Sequence, residues 1–120
     1  MASAVIGPDD TIVGSASDGG EGVAVAATVT PGTLLHQGTA GSPPWDVVTI
    51  CAVNNDTVTR TLSIEFGEAN LAGTRIDKLM RPQVGPELVV DRFRLKRGKP
   101  VRAFCATASV INCFTQIEQL

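Results

Sequence analysis

The chain has no tyrosine, one tryptophan, four phenylalanines and a single histidine among 120 residues. So few aromatic rings disfavour a sugar-binding face or a base-stacking groove, both of which rest on ring stacking. The three cysteines, Cys51, Cys105 and Cys113, lack the paired short spacing of a zinc site. No apolar run reaches eighteen residues, which excludes a membrane-spanning helix. The first residues hold no Lys or Arg and no sustained apolar segment, so no secretory signal is expected. An odd number of cysteines without framework spacing then reads as reduced, buried thiols in a protein made in the cytoplasm.

Basic residues are missing from a whole half of the chain. Residues 1–59 carry six acids (Asp9, Asp10, Asp18, Glu21, Asp46 and Asp56) and no Lys or Arg, a sum of −6. Residues 60–120 carry six acids and all ten bases, a sum of +4, and the total is the net charge of −2. Such segregation can steer a negative segment of one molecule to a positive face of another. It is equally compatible with an acidic segment that stays solvated.

What the chain does have is Val, Ile, Thr, Gly and Pro in alternation with turn chemistry. Residues 1–21 hold only short apolar pairs, Val5-Ile6 and Ile12-Val13, between breakers. They read as an extended arm whose apolar pairs can dock on a neighbour. Strands are expected at 22–29, 33–36, 45–53, 57–66, 75–80, 88–95, 100–106 and 110–118. Residues 45–53 are apolar on both faces in their middle and belong in the centre of a sheet. Asn54-Asn55-Asp56 is a tight-turn sequence, expected to return 57–66 onto 45–53 as a hairpin. Along 88–95 strict alternation puts Val89, Asp91, Phe93 and Leu95 on one face and Val90, Arg92 and Arg94 on the other. A turn at Gly98 and another near Ser109 are expected to join the last three strands, with Cys105 opposite Cys113 in a closing hairpin. The fold class expected is all-β: an antiparallel β-sandwich of about seven or eight short strands over 22–120, with residues 1–21 as its arm.

No reaction centre is evident. A lone histidine, His36, is more often structural than catalytic, and Ser15, Ser17 and Asp18 fall in the expected arm, where no near-attack geometry can be held. The Gly19–Gly22 run precedes a strand and lacks a phosphate-binding Lys. No cofactor or metal is expected, and the chain does not read as an enzyme. The constellation with most content is basic: Arg92, Arg94, Lys96, Arg97 and Lys99, with Arg102 nearby. It suits an acidic protein surface, or simply a solvated sheet face. Nucleic acid is disfavoured by the negative total charge and the lack of interleaved aromatics.

Two stretches resemble a known family. Cys51-Ala-Val-Asn-Asn-Asp-Thr-Val-Thr-Arg-Thr-Leu-Ser-Ile-Glu-Phe-Gly67 is similar to a strand-turn-strand found in small virion proteins of tailed bacteriophages. Val101-Arg-Ala-Phe-Cys-Ala-Thr-Ala-Ser-Val-Ile-Asn112 resembles their closing segment, and Thr33-Leu-Leu-His36 the segment before their first central strand. The resemblance spans about residues 33–118 and leaves out residues 1–21. It departs from the pattern at Cys105 and Cys113, where the family has small residues, and in its long basic turn. It implies a capsid decoration (cement) protein on the outer capsid surface of the virion, a homo-oligomer and commonly a trimer, whose partner is the major capsid protein. Neck and tail proteins share the pattern, and a host- or carbohydrate-binding sandwich module is the further alternative. The resemblance transfers no catalytic residues. The expected contacts are Val5, Ile6, Ile12 and Val13 with Arg92, Arg94, Lys96, Arg97 and Lys99.

Overall fold

The ten-residue strand Trp45–Asn54 anchors the fold because both of its edges are paired and its alternate residues are fully buried. The computed structural model describes residues 11–17, 20–67 and 75–120. In chain order its strands are β1 (Thr11–Val13), β2 (Val23–Ala24), β3 (Thr33–Gln37), β4 (Trp45–Asn54), β5 (Arg60–Phe66), β6 (Arg75–Met80), β7 (Glu87–Lys96), β8 (Pro100–Cys105) and β9 (Ile111–Gln119). All pairings are antiparallel. The protein is an all-β sandwich of two such sheets.

Sheet A runs β1-β9-β4-β7, with β2 pairing the same edge of β9 further along; sheet B runs β3-β8-β5-β6. With β1 and β2 counted as one position, the strand orders are 1-8-3-6 and 2-7-4-5. That order is a jelly roll, in which most connections cross from one sheet to the other.

The core between the sheets is aliphatic, with Leu35, Val48, Ile50, Leu62, Ile64, Met80, Ile111 and Ile117 all fully buried. Phe66 is the one ring in it, stacked on Phe93 at a centroid distance of 4.2 Å. Cys105 and Cys113 enter this core as free thiols from opposite sheets. Burial, and then the neighbouring Cys105, push the Cys113 thiol up to about 12.

Three expectations need correction. First, β5 does not return onto β4. The Asn54 side chain donates to the carbonyls of Val58 (3.0 Å) and Met80 (2.9 Å) and accepts from the Asp56 N–H (2.9 Å), turning the chain into the other sheet. Asp56 in turn accepts from the Thr57 N–H at 2.7 Å and from Arg60, which hold its carboxyl below the usual range. Second, β7, β8 and β9 are not successive hairpins: the Gly98 turn and the Ser109 turn both cross between sheets. Asn and Gly permit a tight reversal in either arrangement, and alternation reports which face is buried rather than which sheet receives it. Third, most of the expected strand 22–29 is not ladder. Only Val23–Ala24 pairs, after which the Val25 N–H bonds the Ile111 carbonyl at 2.9 Å and the Val25 carbonyl accepts from Ser109 at 2.8 Å.

Residues 11–17 are also not a free arm. Ile12 and Val13 pair with Ile117 and Gln116, the Gly14 N–H bonds the Thr115 carbonyl at 2.9 Å, and the Ala16 N–H reaches the Leu35 carbonyl at 3.3 Å. A Cβ on Gly14 would stand 2.6 Å from that Leu35 oxygen, so only glycine lets the chain pass here from sheet A towards sheet B. Residues 1–10, and with them Val5 and Ile6, lie outside the described residues.

The thiols give a direct check. In the folded protein a thiol reagent should modify the half-buried Cys51 at once, and Cys105 and Cys113 only after unfolding. Rapid modification of all three would contradict the packing. An unfolded Cys113 releases its proton near its ordinary value of 9, whereas the folded one holds it to about 12. Its share of stability is therefore complete below pH 9 and falls as pH rises through that interval, which chemical denaturation at pH 8 and pH 10 measures.

Candidate interaction surface

In an antiparallel ladder, residues directly opposite each other point to the same side. Register therefore maps the outer face of sheet A. One row is Glu118, Val47 and Arg94, and the next is Val13, Gln116 and Thr49. Then come Phe114, Cys51 and Leu88, followed by Ala24, Asn112 and Val53. Trp45 and Lys96 close the end. Val13, Trp45, Leu88 and Phe114 are exposed, and the Phe114 ring lies over Gly22, where a Cβ would meet it at 2.9 Å. About half of the residues in these rows are apolar, and these four side chains stay exposed among the described residues.

The outer face of sheet B is built differently. Its rows are Arg75, Glu65, Arg102 and Leu34; Asp77, Ser63 and Phe104; and Leu79 with Thr61. Ser63 donates to Asp77 at 2.6 Å, Arg75 pairs with Asp77 at 3.2 Å, and the same guanidinium lies 5.7 Å over the Phe104 ring. The buried Glu65 accepts from Thr30 and from the Gly32 N–H (2.8 Å), so residues 30–32 lie against this face. A Cβ on Gly32 would fall 2.5 Å from the Ala103 carbonyl oxygen, which shows how closely the two backbones approach. Sheet B thus satisfies Glu65, Ser63 and Asp77 within the chain and leaves Leu79 as its exposed apolar side chain, while sheet A leaves four, Val13, Trp45, Leu88 and Phe114.

The expected basic residues lie along β7, the free edge of sheet A, but not in the alternation read from the sequence. Arg92 has φ +53°, and the register slips so that Asp91 and Arg92 together oppose Thr49. The Arg92 N–H bonds the Thr49 Oγ1 at 3.3 Å, and its guanidinium pairs with Glu118. The bulge turns Val90 inward together with Phe93, opposite Ile50 and Val48. Strict alternation would have put these two on opposite faces. Arg94 stands on the outer face, 5.7 Å over the Trp45 ring, with Lys96 beside it. Arg97 folds back to donate to the Pro43 carbonyl at 3.1 Å, and its own N–H bonds Pro44 at 2.9 Å. The exposed Lys99 borders a cleft of about 410 Å³ lined by Pro31, Gln37, Gly67, Pro100 and Arg102, a lining with two cations and no carboxylate.

The structure also brings together Ser15, His36 and Asp46, which lie far apart in sequence. A bulge in β3 between Leu34 and His36 turns both Leu35 and His36 inward. The Ser15 N–H donates to His36 Nδ1 at 3.0 Å, so the ring proton sits on Nε2 and is donated to Asp46 Oδ2 at 3.0 Å. Gln119 adds a donor to Asp46 Oδ1 at 3.4 Å, and the Ser15 hydroxyl accepts from the Gln37 N–H at 2.8 Å. A nucleophilic triad needs the serine hydroxyl on the imidazole. Here a backbone N–H occupies that nitrogen, and the arrangement is a clamp holding residues 14–17 across the two sheets. Sequence reading passed over it because it placed Ser15 in a flexible arm.

Among the described residues no three of His, Cys, Asp and Glu group closely enough to hold a metal ion, and no helix is long and apolar enough to cross a membrane. No family model, curated protein or solved structure matches this chain.

Removing either half of the clamp leaves a buried polar group without its partner, at about 1–3 kcal/mol. His36→Ala and Asp46→Ala should each lower stability by roughly that amount in urea. His36→Ala should in addition open residues 14–17 to amide exchange ahead of the core. Unchanged stability together with unchanged exchange at 14–17 would contradict the clamp.

Proposed function

We propose that this chain is a structural protein of a tailed-bacteriophage virion: a capsid decoration protein that binds the assembled shell of major capsid protein. The observation that carries this reading is the contrast between the two outer faces. Exposed apolar sheet surface is stabilised when another protein covers it, and exposed Trp and Phe side chains with an adjacent Arg are of the types enriched at protein interfaces. The resemblance of residues 33–118 to phage virion proteins supports the same assignment. Jelly rolls occur in viral capsid domains, but also in lectins and cupins, so the strand order does not choose among roles.

The mechanism is linkage. A ligand that binds only the assembled state stabilises that state in proportion to its occupancy, and no chemical step is required. Sheet A is the shell-facing surface in this reading, and the basic residues of β7 lie at its margin for contact with acidic neighbours. Residues 1–10 remain candidate grips, whereas Ile12 and Val13 serve first to complete sheet A.

Two measurements test this. Mass-spectrometric stoichiometry of purified virions should give hundreds of copies per particle; a dozen or fewer would place the protein on the neck or tail axis instead. Removal of residues 1–10 should reduce shell occupancy while leaving thermal stability intact. Removal of residues 1–20 should also destabilise the fold, because it deletes β1 and the Ser15 end of the clamp. Full occupancy without residues 1–10 would count against those residues as contacts.

A further inference from the structure

His36 is the one imidazole in the chain, and it is 2% exposed. Both of its ring nitrogens are committed. Nδ1 accepts from the Ser15 N–H at 3.0 Å, and Nε2 donates to Asp46 Oδ2 at 3.0 Å. A backbone amide can only donate, so the bond to Ser15 exists only while Nδ1 carries no proton. A proton on Nδ1 would set two N–H groups against each other at that distance. Histidine is the side chain that ordinarily changes charge between pH 5 and pH 8.

The surroundings of the ring set the direction of the effect. Among the described residues, β4 presents Asp46, the 14–17 segment presents the Ser15 N–H, β9 presents the neutral Gln119 to the second Asp46 oxygen, and β8 meets β3 here through Val101. Asp46 is the one charged group paired with the ring, and it attracts a proton to the imidazole wherever Ser15 stands. Ser15 makes the difference between two states. With its N–H in place, Nδ1 has no room for a proton. With the segment displaced, Nδ1 meets solvent, since Ser15 and Ala16 lie on the outside, and an imidazolium–carboxylate pair forms. The closed segment therefore binds one proton fewer than the open one. Its closure strengthens as pH rises and weakens as pH falls.

We propose that His36 makes the attachment of residues 11–17 an acid-sensitive latch. A proton on Nδ1 expels the Ser15 N–H and frees the segment, while the His36–Asp46 pair persists and the core stays closed. Little else holds the segment down. The Gly14 N–H bonds Thr115, the Ala16 N–H reaches Leu35 at 3.3 Å, and the Ser15 hydroxyl accepts from the Gln37 N–H. β1 is three residues long, and its Ile12 and Val13 side chains are exposed. A stretch with so few buried apolar contacts opens locally long before the whole fold does. Opening uncovers the edge of β9 from Gln116 to Glu118, which β1 otherwise pairs. The latch belongs to the isolated chain and holds whether or not the protein sits on a shell.

The test is amide hydrogen exchange of the full chain by NMR at pH 8, 6.5 and 5, expressed as protection factors so that the intrinsic pH dependence of exchange drops out. The nitrogen shifts of the His36 ring are followed in the same samples. Protection at Ser15, Ala16 and Gln37 should fall roughly tenfold, the worth of about one hydrogen bond, as the ring becomes doubly protonated. Val48 and Ile117 should keep theirs. His36→Asn retains an acceptor near the place of Nδ1 but cannot titrate in this interval. Its protection at Ala16 and Gln37 should be the same at all three pH values, whatever its level. Should that variant fail to fold, the wild-type ring and amide titrations still decide, because the two must share one midpoint. A ring that becomes doubly protonated while Ala16 and Gln37 stay protected overturns the proposal, and so does a ring that stays neutral down to pH 5. Loss of protection that persists in His36→Asn overturns it as well and assigns the opening to another group.

Discussion

Two sheets packed face to face bury two inner surfaces and leave two outer ones, and a chain of this length has only loops with which to cover them. That constraint shapes everything else. The inner layer is filled by aliphatic side chains with one ring, Phe66, and with Cys105 and Cys113 as compact apolar groups. The loop at residues 30–32 lies against sheet B, where Glu65, Ser63 and Asp77 find hydrogen-bond partners. Among the described residues Trp45, Leu88 and Phe114 of sheet A stay exposed. In the proposed role the outer face of that sheet supplies the apolar area buried on association.

The buried polar groups sit where the chain changes sheet or must be held down. Asn54 saturates its amide on Val58, Met80 and Asp56 at the crossing from β4 to β5. His36 and Asp46 secure residues 14–17 to both sheets through the Ser15 N–H. Asn54, His36 and Asp46 are buried with partners, so their desolvation is offset by hydrogen bonds. In this position an imidazole and a carboxylate provide a structural link, although the same residue types elsewhere form a catalytic dyad.

Much of the fold could be read from the chain because alternation and turn residues are local signals. The strands at 45–54, 60–66, 75–80, 87–96, 100–105 and 111–119 lie within a few residues of the expected positions. What local signals cannot carry is the choice of partner. The Asn54-Asn55-Asp56 turn reads the same for a hairpin as for a crossing between sheets, and both arrangements bury Leu62 and Ile64 on one inner layer. The three residues of β1 are too few to show a period, and they become a strand only because β9 offers an edge. The Arg92 bulge had no signature either, since a left-handed arginine is unmarked in sequence, and it overturned the simple facing of 88–95. The basic residues themselves were legible from composition; the apolar outer face opposite the core was visible only as a strand, 45–53, apolar on both sides.

In the proposed role, the outer face of sheet A is covered by shell protein in an assembled virion while that of sheet B is not. Hydroxyl-radical footprinting of the isolated protein and of virions that contain it measures this most directly. The account predicts that Trp45, Leu88 and Phe114 lose most of their reactivity on assembly, while Leu79 on the outer face of sheet B keeps its own. Equal reactivity of Trp45, Leu88 and Phe114 in both states, or protection confined to Leu79, would contradict it.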